Sequence, residues 1–334
     1  MNTQDQYTRR VIVAASIAAL FFIAWWLRYV LILLFGGLIL ATALRAGAGR
    51  IARIPRLPEQ GALALLVVGL IALLALLIWL VGSRIAMQFA ELRTALPQAL
   101  ATAREWLHAS SFGLTLLDLY ESAKDGGVPW ARVATFTTVA IDGILNAVLM
   151  VVLGLYLAAS PDMYYEGLLR LVPKNARPRA EVALSAAGLG LKRWLFGQML
   201  SMSAIGTLTA SGLYLLDMPL ALSVGLIAGL FAFVPFFGPI ASGILAVVLA
   251  FTQGPQQALY VGILCLGIQQ IESFVLMPLI QRWTVALPPA LGLVSVVIFG
   301  LLFGVMGLLF ATPLMVVVMI LIQKLYVEND AQPF

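Results

Sequence analysis

Long apolar runs alternate with short polar turns along most of the chain, and this pattern predicts membrane-spanning helices. Six apolar runs are each interpreted as a single span; they cover residues 11–27, 29–44, 61–82, 136–159, 199–216 and 256–278. They are rich in Leu, Ala and Gly and lack the period-two alternation of a membrane β-barrel. Together with two longer runs, they predict an all-α polytopic membrane protein with about eight hydrophobic segments.

The two longer runs, 219–252 and 290–323, are each interrupted by residues that disfavour a helix. In the first run these are two prolines and a glycine around a phenylalanine, namely Pro235, Phe236, Gly238 and Pro239. In the second run they are Gly300, Gly304, Gly307 and Pro313. The halves of the first run, roughly 16 and 13 residues, would reach only about 20–24 Å, less than a hydrocarbon core of about 30 Å.

Each broken run follows a span and a proline-containing turn, and the two units begin about 70 residues apart. If both runs are re-entrant hairpins, the first enters from outside and the second from inside, as in an inverted repeat of a transporter. The plainer alternative is that each run crosses the membrane. Irregular backbone at membrane depth occurs only where protein buries it or where it lines a wet cavity, so the breaks are candidates for a solute pathway.

Two polar stretches differ from the rest. In residues 83–132 an apolar stripe at helical spacing contains Ile85, Phe89, Leu92, Leu96, Leu100, Ala103 and Leu107. It predicts an extramembrane helix on the membrane or against a neighbouring subunit, or else a solvent-exposed helix with simple core packing.

Residues 160–197 favour two short amphipathic helices at a membrane surface. The chain therefore divides into 1–82, 83–132, 133–198 and a transport unit, 199–325.

The stripe and the short spans within residues 11–44 also favour a homo-oligomer, because both suggest surfaces covered by protein.

Composition excludes a soluble domain and weakens several function classes. The 334 residues are 62% hydrophobic and 10% charged, against about 25% charged in a soluble domain. The single cysteine (Cys265) and the single histidine (His108) give no metal-site spacing. The net charge of +5 is concentrated in loops and implies no nucleic-acid partner. Twelve of the twenty Lys and Arg residues lie in 1–10, 45–56 and 160–197, which predicts that the N-terminus, and with it the C-terminus, is cytoplasmic.

Few ionisable groups fall within the predicted spans. Glu272 follows Gln269 and Gln270 and precedes Pro278, and an intramembrane carboxylate is a functional candidate. Asp142 and Asn146 share a face of another span and are weaker candidates. The pattern predicts a secondary transporter without a cofactor, coupled to Na⁺ or H⁺. A membrane enzyme would need a nucleophile and base at membrane depth, and a non-transporting scaffold stays an alternative.

The broken run and several short motifs resemble the autoinducer-2 exporter family of bacterial permeases. The motifs are Gly197-Gln198, residues 234–239, residues 269–272 followed by Pro278, and residues 303–307 with Pro313. The resemblance implies export of a small polar solute across the inner membrane, or sodium/proton antiport as for some relatives, and adds Gln198 as a weaker site candidate. The chain departs from the family pattern at Ser273, Phe274 and Leu287, where polar groups are absent or changed.

Overall fold

The computed structural model describes residues 22, 25–52, 58–109, 136–234, 237–281 and 288–327, and all regular structure within these ranges is helical. The α-helices are α1 Arg28–Ile51, α2 Glu59–Ala109, α3 Phe136–Ala159, α4 Pro161–Leu171, α5 Arg177–Leu215, α6 Ala221–Phe231, α7 Phe237–Ala250, α8 Pro255–Ile271, α9 Met277–Gln281 and α10 Pro289–Ile322. A 3₁₀ turn, Phe251–Gln253, follows α7, and π-helical turns, Glu272–Leu276 and Gln323–Val327, follow α8 and α10. The predicted all-α fold class is confirmed.

By length and composition, three helices of the described ranges can cross a membrane, or four if the bent pair α3–α4 counts as one span. The three are Arg28–Ile51, Pro255–Ile280 and Ala290–Val327. The predicted span 11–27 lies largely outside the described residues. Helices α6 and α7, with 11 and 14 residues, are about 17 and 21 Å long and too short to cross alone.

Helix α2 continues without interruption from the predicted span 61–82 into the polar stretch that follows. Its 51 residues make it about 76 Å long, with Pro97 inside it. Leu92 and Leu96 of the predicted stripe pack against the start of α6 and the end of α7. Farther along, the ring of Trp106 lies 5.6 Å from that of Phe251. At these positions the stripe is covered within the chain itself, which favours the predicted alternative of core packing over contact with the membrane or a neighbouring subunit.

The segment formed by α6 and α7 is a hairpin, because its two ends lie side by side. The side-chain amide of Gln253 donates a hydrogen bond to the carbonyl oxygen of Asp217 at 3.3 Å. The amide of Gln257 donates to the carbonyl oxygen of Leu216 at 2.5 Å. An apolar cluster joins the base of the hairpin to α5, α8 and α2. We call α6 and α7 with their connection the first hairpin.

Small residues let the first hairpin approach α5 closely. Gly206 and Ala210 stand four apart on α5, and Gly225 and Gly229 stand four apart on α6. A Cβ on Gly229 would lie 3.1 Å from Cα of Gly206, and one on Gly225 would lie 2.8 Å from Cα of Ala210. Paired small residues at this spacing are a common way for membrane helices to pack backbone against backbone.

Helix α10 is not straight, because Gly304 interrupts it with φ 65° and ψ −142°. A Cβ on Gly307 would overlap the carbonyl oxygen of Phe299. In an unbroken helix residues eight apart are separated by about 12 Å along the axis, so the chain turns sharply between these two residues. The predicted interruption of the second run is therefore present at Gly304. Pro313 lies buried in the limb that follows.

In the N-terminal half, α1 and α3 pack through Gly36, Gly37 and Gly154. Helix α4 leaves α3 at an angle of 87°. Residues 160–197 thus form one short helix and the first part of the long α5, where the sequence suggested two short helices.

Candidate functional site

The first hairpin is broken as the sequence predicted. Helix α6 ends at Phe231, and α7 begins at Phe237. The backbone N–H of Gly238 donates to the carbonyl oxygen of Val234 at 2.9 Å. A Cβ on Gly238 would overlap the carbonyl oxygen of Phe231, so only glycine permits this close approach. Pro235 and Phe236 lie outside the described residues.

Gln198 of α5 occupies the break. Its side-chain amide donates a hydrogen bond to the carbonyl oxygen of Ala232 at 2.6 Å. Ala232 is buried, and a buried carbonyl needs such a partner where the helix ends. Gln198, a weaker candidate from its sequence, thus holds the end of α6 in place.

A small cleft lies next to the break, between α5, α7 and α8. Its walls are formed by Ile205, Thr209, Pro239, Ser242, Gly243, Cys265, Ile268, Gln269 and Glu272. Its volume of about 20 Å³ fits one water molecule or a monatomic ion. The hydroxyl of Ser242 donates to the carbonyl oxygen of Pro239 at 3.2 Å. The cleft therefore brings a carboxylate, an amide and two buried hydroxyl side chains to one place.

Glu272 is half-buried and has no hydrogen-bond or ion-pair partner among the described residues. It begins the π-helical turn Glu272–Leu276. Pro278 accounts for this turn, since it cannot donate to the preceding turn and its ring clashes with the carbonyl four residues earlier. π-helical turns of this kind occur frequently at functional sites.

Aromatic rings connect the break in the first hairpin to α10. The ring of Phe233 lies 5.9 Å from that of Trp194 on α5 and 6.4 Å from that of Phe310 on α10, both edge to face. Phe310 in turn meets Phe35 of α1 at 6.3 Å. Because Phe310 follows the turn at Gly304 by less than two helical turns, the two broken segments meet close to their breaks.

The AI-2E family transporter model matches residues 15–326. The chain belongs to this family. Among curated relatives, "Putative transport protein YrrI" of Bacillus subtilis is 25% identical over 173 residues, 52% of this chain and 49% of that protein. A "Putative transport protein" of Thermotoga maritima is 28% identical over 174 residues, 52% of this chain and 53% of that protein. "Putative transport protein MT0215" of Mycobacterium tuberculosis is 30% identical over 142 residues, 42% and 39% of the two chains.

The chain spans about half the length, or less, of these relatives of the AI-2E family. The predicted family is confirmed by the match over nearly the whole chain. By the family's description, its members are transporters.

Several residues predicted for the pathway of this AI-2E family member lie away from the cleft. Gln270 and Pro278 are exposed. Asn146 is buried and donates a hydrogen bond to the hydroxyl of Tyr29, which joins α3 to α1. Asp142 belongs to α3, but its side chain is not among those described.

Sequence reasoning missed Thr209 and Ser242, which line the cleft with Gln269 and Glu272. Both are buried hydroxyl residues within apolar helices. A buried polar side chain needs a hydrogen-bond partner. A hydroxyl residue within an otherwise apolar helix was therefore the feature from which these two residues could have been predicted.

A larger cavity, about 630 Å³, lies at the ends of α1 and α3 and the start of α2. Its charged lining residues are Arg45, Glu59 and Asp162, and the first two form an ion pair at 2.5 Å. It touches neither broken segment. We place the candidate site at the smaller cleft, because it adjoins the break in the first hairpin and contains Glu272, which has no partner among the described residues.

Proposed function

We propose that the protein is a secondary transporter of a small polar solute, driven by an Na⁺ or H⁺ gradient and working at the cleft around Glu272. The observation that best supports this proposal is the environment of the Glu272 carboxylate. The carboxylate is half-buried, lacks a partner among the described residues and lies beside the break in the first hairpin. A carboxylate in that position gains from binding a cation or a proton, and the binding changes the charge next to a helix break.

The oxygen atoms around the cleft suit a hard cation. The hydroxyls of Thr209 and Ser242, the carbonyl of Pro239 and the carboxylate of Glu272 are the types of ligand that such cations prefer. A proton would need only Glu272. The chain thus offers a site for either ion, with Gln269 beside it.

The first hairpin and α10 supply the parts that move. Their breaks meet through Phe233 and Phe310, and the glycine-rich face of α6 lies backbone to backbone on α5. Small sliding shifts between packed helices are one way in which proteins change conformation. In this conformation the cleft is too small for a sugar-sized solute, so solute entry requires the hairpin to move.

The size of the cleft favours one alternative within the same family, a sodium/proton antiporter that carries no organic solute. The two functions share Glu272 and differ in what else crosses. In both, the protein lies in the bacterial inner membrane as a homo-oligomer, with its N-terminus and C-terminus in the cytoplasm.

The test is a flux screen in proteoliposomes containing the full chain. Radiolabelled small polar metabolites are offered with an Na⁺ gradient, with an H⁺ gradient and with neither, and an internal pH dye reports antiport. Solute flux that depends on one gradient supports the proposal. Na⁺-driven pH change without solute flux supports the antiporter, and absence of both with folded protein overturns both. Empty vesicles and Glu272→Gln vesicles serve as controls.

A further inference from the structure

Helix α4 leaves the end of α3 almost at a right angle. The two axes enclose 87°, and only Ser160 separates them. The bend has a local cause, since a residue before proline is pushed out of the helical region, and Ser160 before Pro161 has φ −138°. Because α3 has the composition of a span, a crossing of α3 along the membrane normal would place α4 in the plane of the membrane surface.

Three sides of α4 have different environments. One side docks on α5, where the hydroxyl of Tyr165 donates to the carbonyl oxygen of Glu181 at 3.1 Å and lies 3.1 Å from the hydroxyl of Ser185. A second side is charged and carries Asp162, Glu166 and Arg170 at steps of four. Glu166 and Arg170 form an ion pair at 3.4 Å.

The third side is apolar and uncovered. Tyr164, Leu168 and Leu171 recur at steps of four and three, and their exposed fractions are 37%, 54% and 83%. With about 100° of rotation per residue, this side faces away from the charged side. No residue of α4 is buried. We propose that this apolar side lies in the headgroup region of the leaflet at the α3–α4 corner, so that α4 is an interfacial helix bound to lipid.

Lipid is the occupant that the neighbouring surface favours. Exposed apolar side chains on α3 lead to the corner at a spacing of four residues, namely Val148, Val152 and Tyr156. Tyr156 and Tyr164 flank the corner, and tyrosine is enriched where a span meets the headgroups. The apolar side of α4 is therefore continuous with a surface that faces acyl chains.

The segment 170–179, which covers the turn between α4 and α5, supplies charge for anionic lipid. Residues 170–179 contain four basic residues and no acidic one: Arg170, Lys174, Arg177 and Arg179. The guanidinium of Arg177 donates to the carbonyl oxygens of Val172 at 3.1 Å and Arg170 at 3.3 Å, which fixes the turn. Lys174 and Arg179 remain exposed. Basic residues beside an amphipathic helix favour binding to anionic headgroups.

The experiment uses single spin labels on the full chain in a Cys265→Ala background, reconstituted in vesicles of phosphatidylethanolamine and phosphatidylglycerol. Labels at Leu168 and Leu171 should be reached by oxygen more than by a water-soluble nickel chelate, and a label at Glu166 should show the reverse. A label at Val152 gives the lipid reference, and one at Asp162 gives the water reference. If labels at positions 168 and 171 have the same accessibility to the two reagents as the label at Asp162, the apolar side of α4 is in water. If neither reagent reaches them, protein covers that side. Either result overturns the proposal.

A second arm tests the basic turn. Replacing phosphatidylglycerol with phosphatidylcholine should reduce the depth of the Leu168 label, and Lys174→Gln/Arg179→Gln should remove this dependence on lipid composition. If the depth of the Leu168 label is the same with and without anionic lipid when Lys174 and Arg179 are present, the electrostatic part of the proposal is overturned. Circular dichroism of each labelled protein verifies folding.

Discussion

Gln198 and Ala232 lie 34 positions apart in the chain, yet the side-chain amide nitrogen of the first lies 2.6 Å from the carbonyl oxygen of the second. This hydrogen bond ties α5 to the break in the first hairpin. It satisfies a buried carbonyl at the end of α6, where the helix no longer supplies a donor. A glutamine that sequence analysis offered only as a weaker candidate therefore positions the break beside the cleft.

Replacing Gln198 with leucine should destabilise the protein. The change leaves the Ala232 carbonyl buried without its donor, at a cost of about 1–3 kcal/mol. The thermal unfolding midpoint in detergent should fall, and transport should fall with it because the break is no longer held. Gln270→Leu is the matched control, since Gln270 is exposed and lies outside the cleft. Equal midpoints for the two variants would contradict a role for Gln198 in holding the break.

The turn in α10 should depend on Gly304. Its φ of 65° and ψ of −142° lie in a region that only glycine adopts readily, so Gly304→Ala should cost about 1–3 kcal/mol. Gly300→Ala, four residues earlier, meets no atom within 4 Å and has no unusual φ. Alanine is the better helix former, so this control should be neutral or slightly stabilising. Thermal unfolding in detergent separates the two, and an unfolding midpoint of Gly304→Ala equal to that of the unmodified protein would contradict the strained turn.

Features governed by local chemistry were predictable from the sequence. Prolines and glycines disrupt helices wherever they stand, so the breaks near Gly238 and Gly304 followed from residue type. Gln269 lies in the last turn of α8 and Glu272 directly after α8, and their common side followed from their spacing of three.

Contacts between distant residues were not predictable in the same way. Gln88 accepts hydrogen bonds from the backbone N–H and the hydroxyl of Ser223, 135 positions away, and nothing in either neighbourhood indicates the other. The composition of the cleft was equally unpredictable, because Thr209 and Ser242 come to Glu272 from separate helices. The apolar stripe on α2 was visible, but its partner depends on how the first hairpin folds.

Both ends of the first hairpin should be accessible from one side of the membrane. The amide of Gln253 bonds to the carbonyl of Asp217, so cysteines at these two positions in a Cys265→Ala background should react with an impermeant thiol reagent from the same side. We expect the outer side. Lys174→Cys supplies the reference for the opposite side. Labelling of position 253 only from the Lys174 side would show that the segment crosses the membrane.

Glu272 should couple ion movement to transport. Its carboxylate lines the cleft and has no partner among the described residues, whereas the carbonyl at the break is already bonded to Gln198. A purely structural role as a partner for that backbone is therefore disfavoured. Glu272→Gln keeps the size of the side chain but cannot ionise, so we expect a folded protein whose flux is lost or no longer depends on the ion gradient. Glu91→Gln, at an exposed position on α2, is the control that should transport normally.

The comparison with Glu272→Ala separates coupling from packing. A coupling residue predicts that Glu272→Gln and Glu272→Ala both lose gradient-driven flux, while the unfolding midpoint of Glu272→Gln stays close to that of the unmodified protein. A packing residue predicts the opposite pattern, with near-normal flux for Glu272→Gln and a lowered unfolding midpoint for Glu272→Ala. Because the volume of the cleft, about 20 Å³, suits one ion or water molecule, loss of the carboxylate should change the response to Na⁺ and pH before it changes solute selectivity. If Glu272→Gln keeps its flux and its dependence on both ions, the coupling site lies elsewhere in the chain.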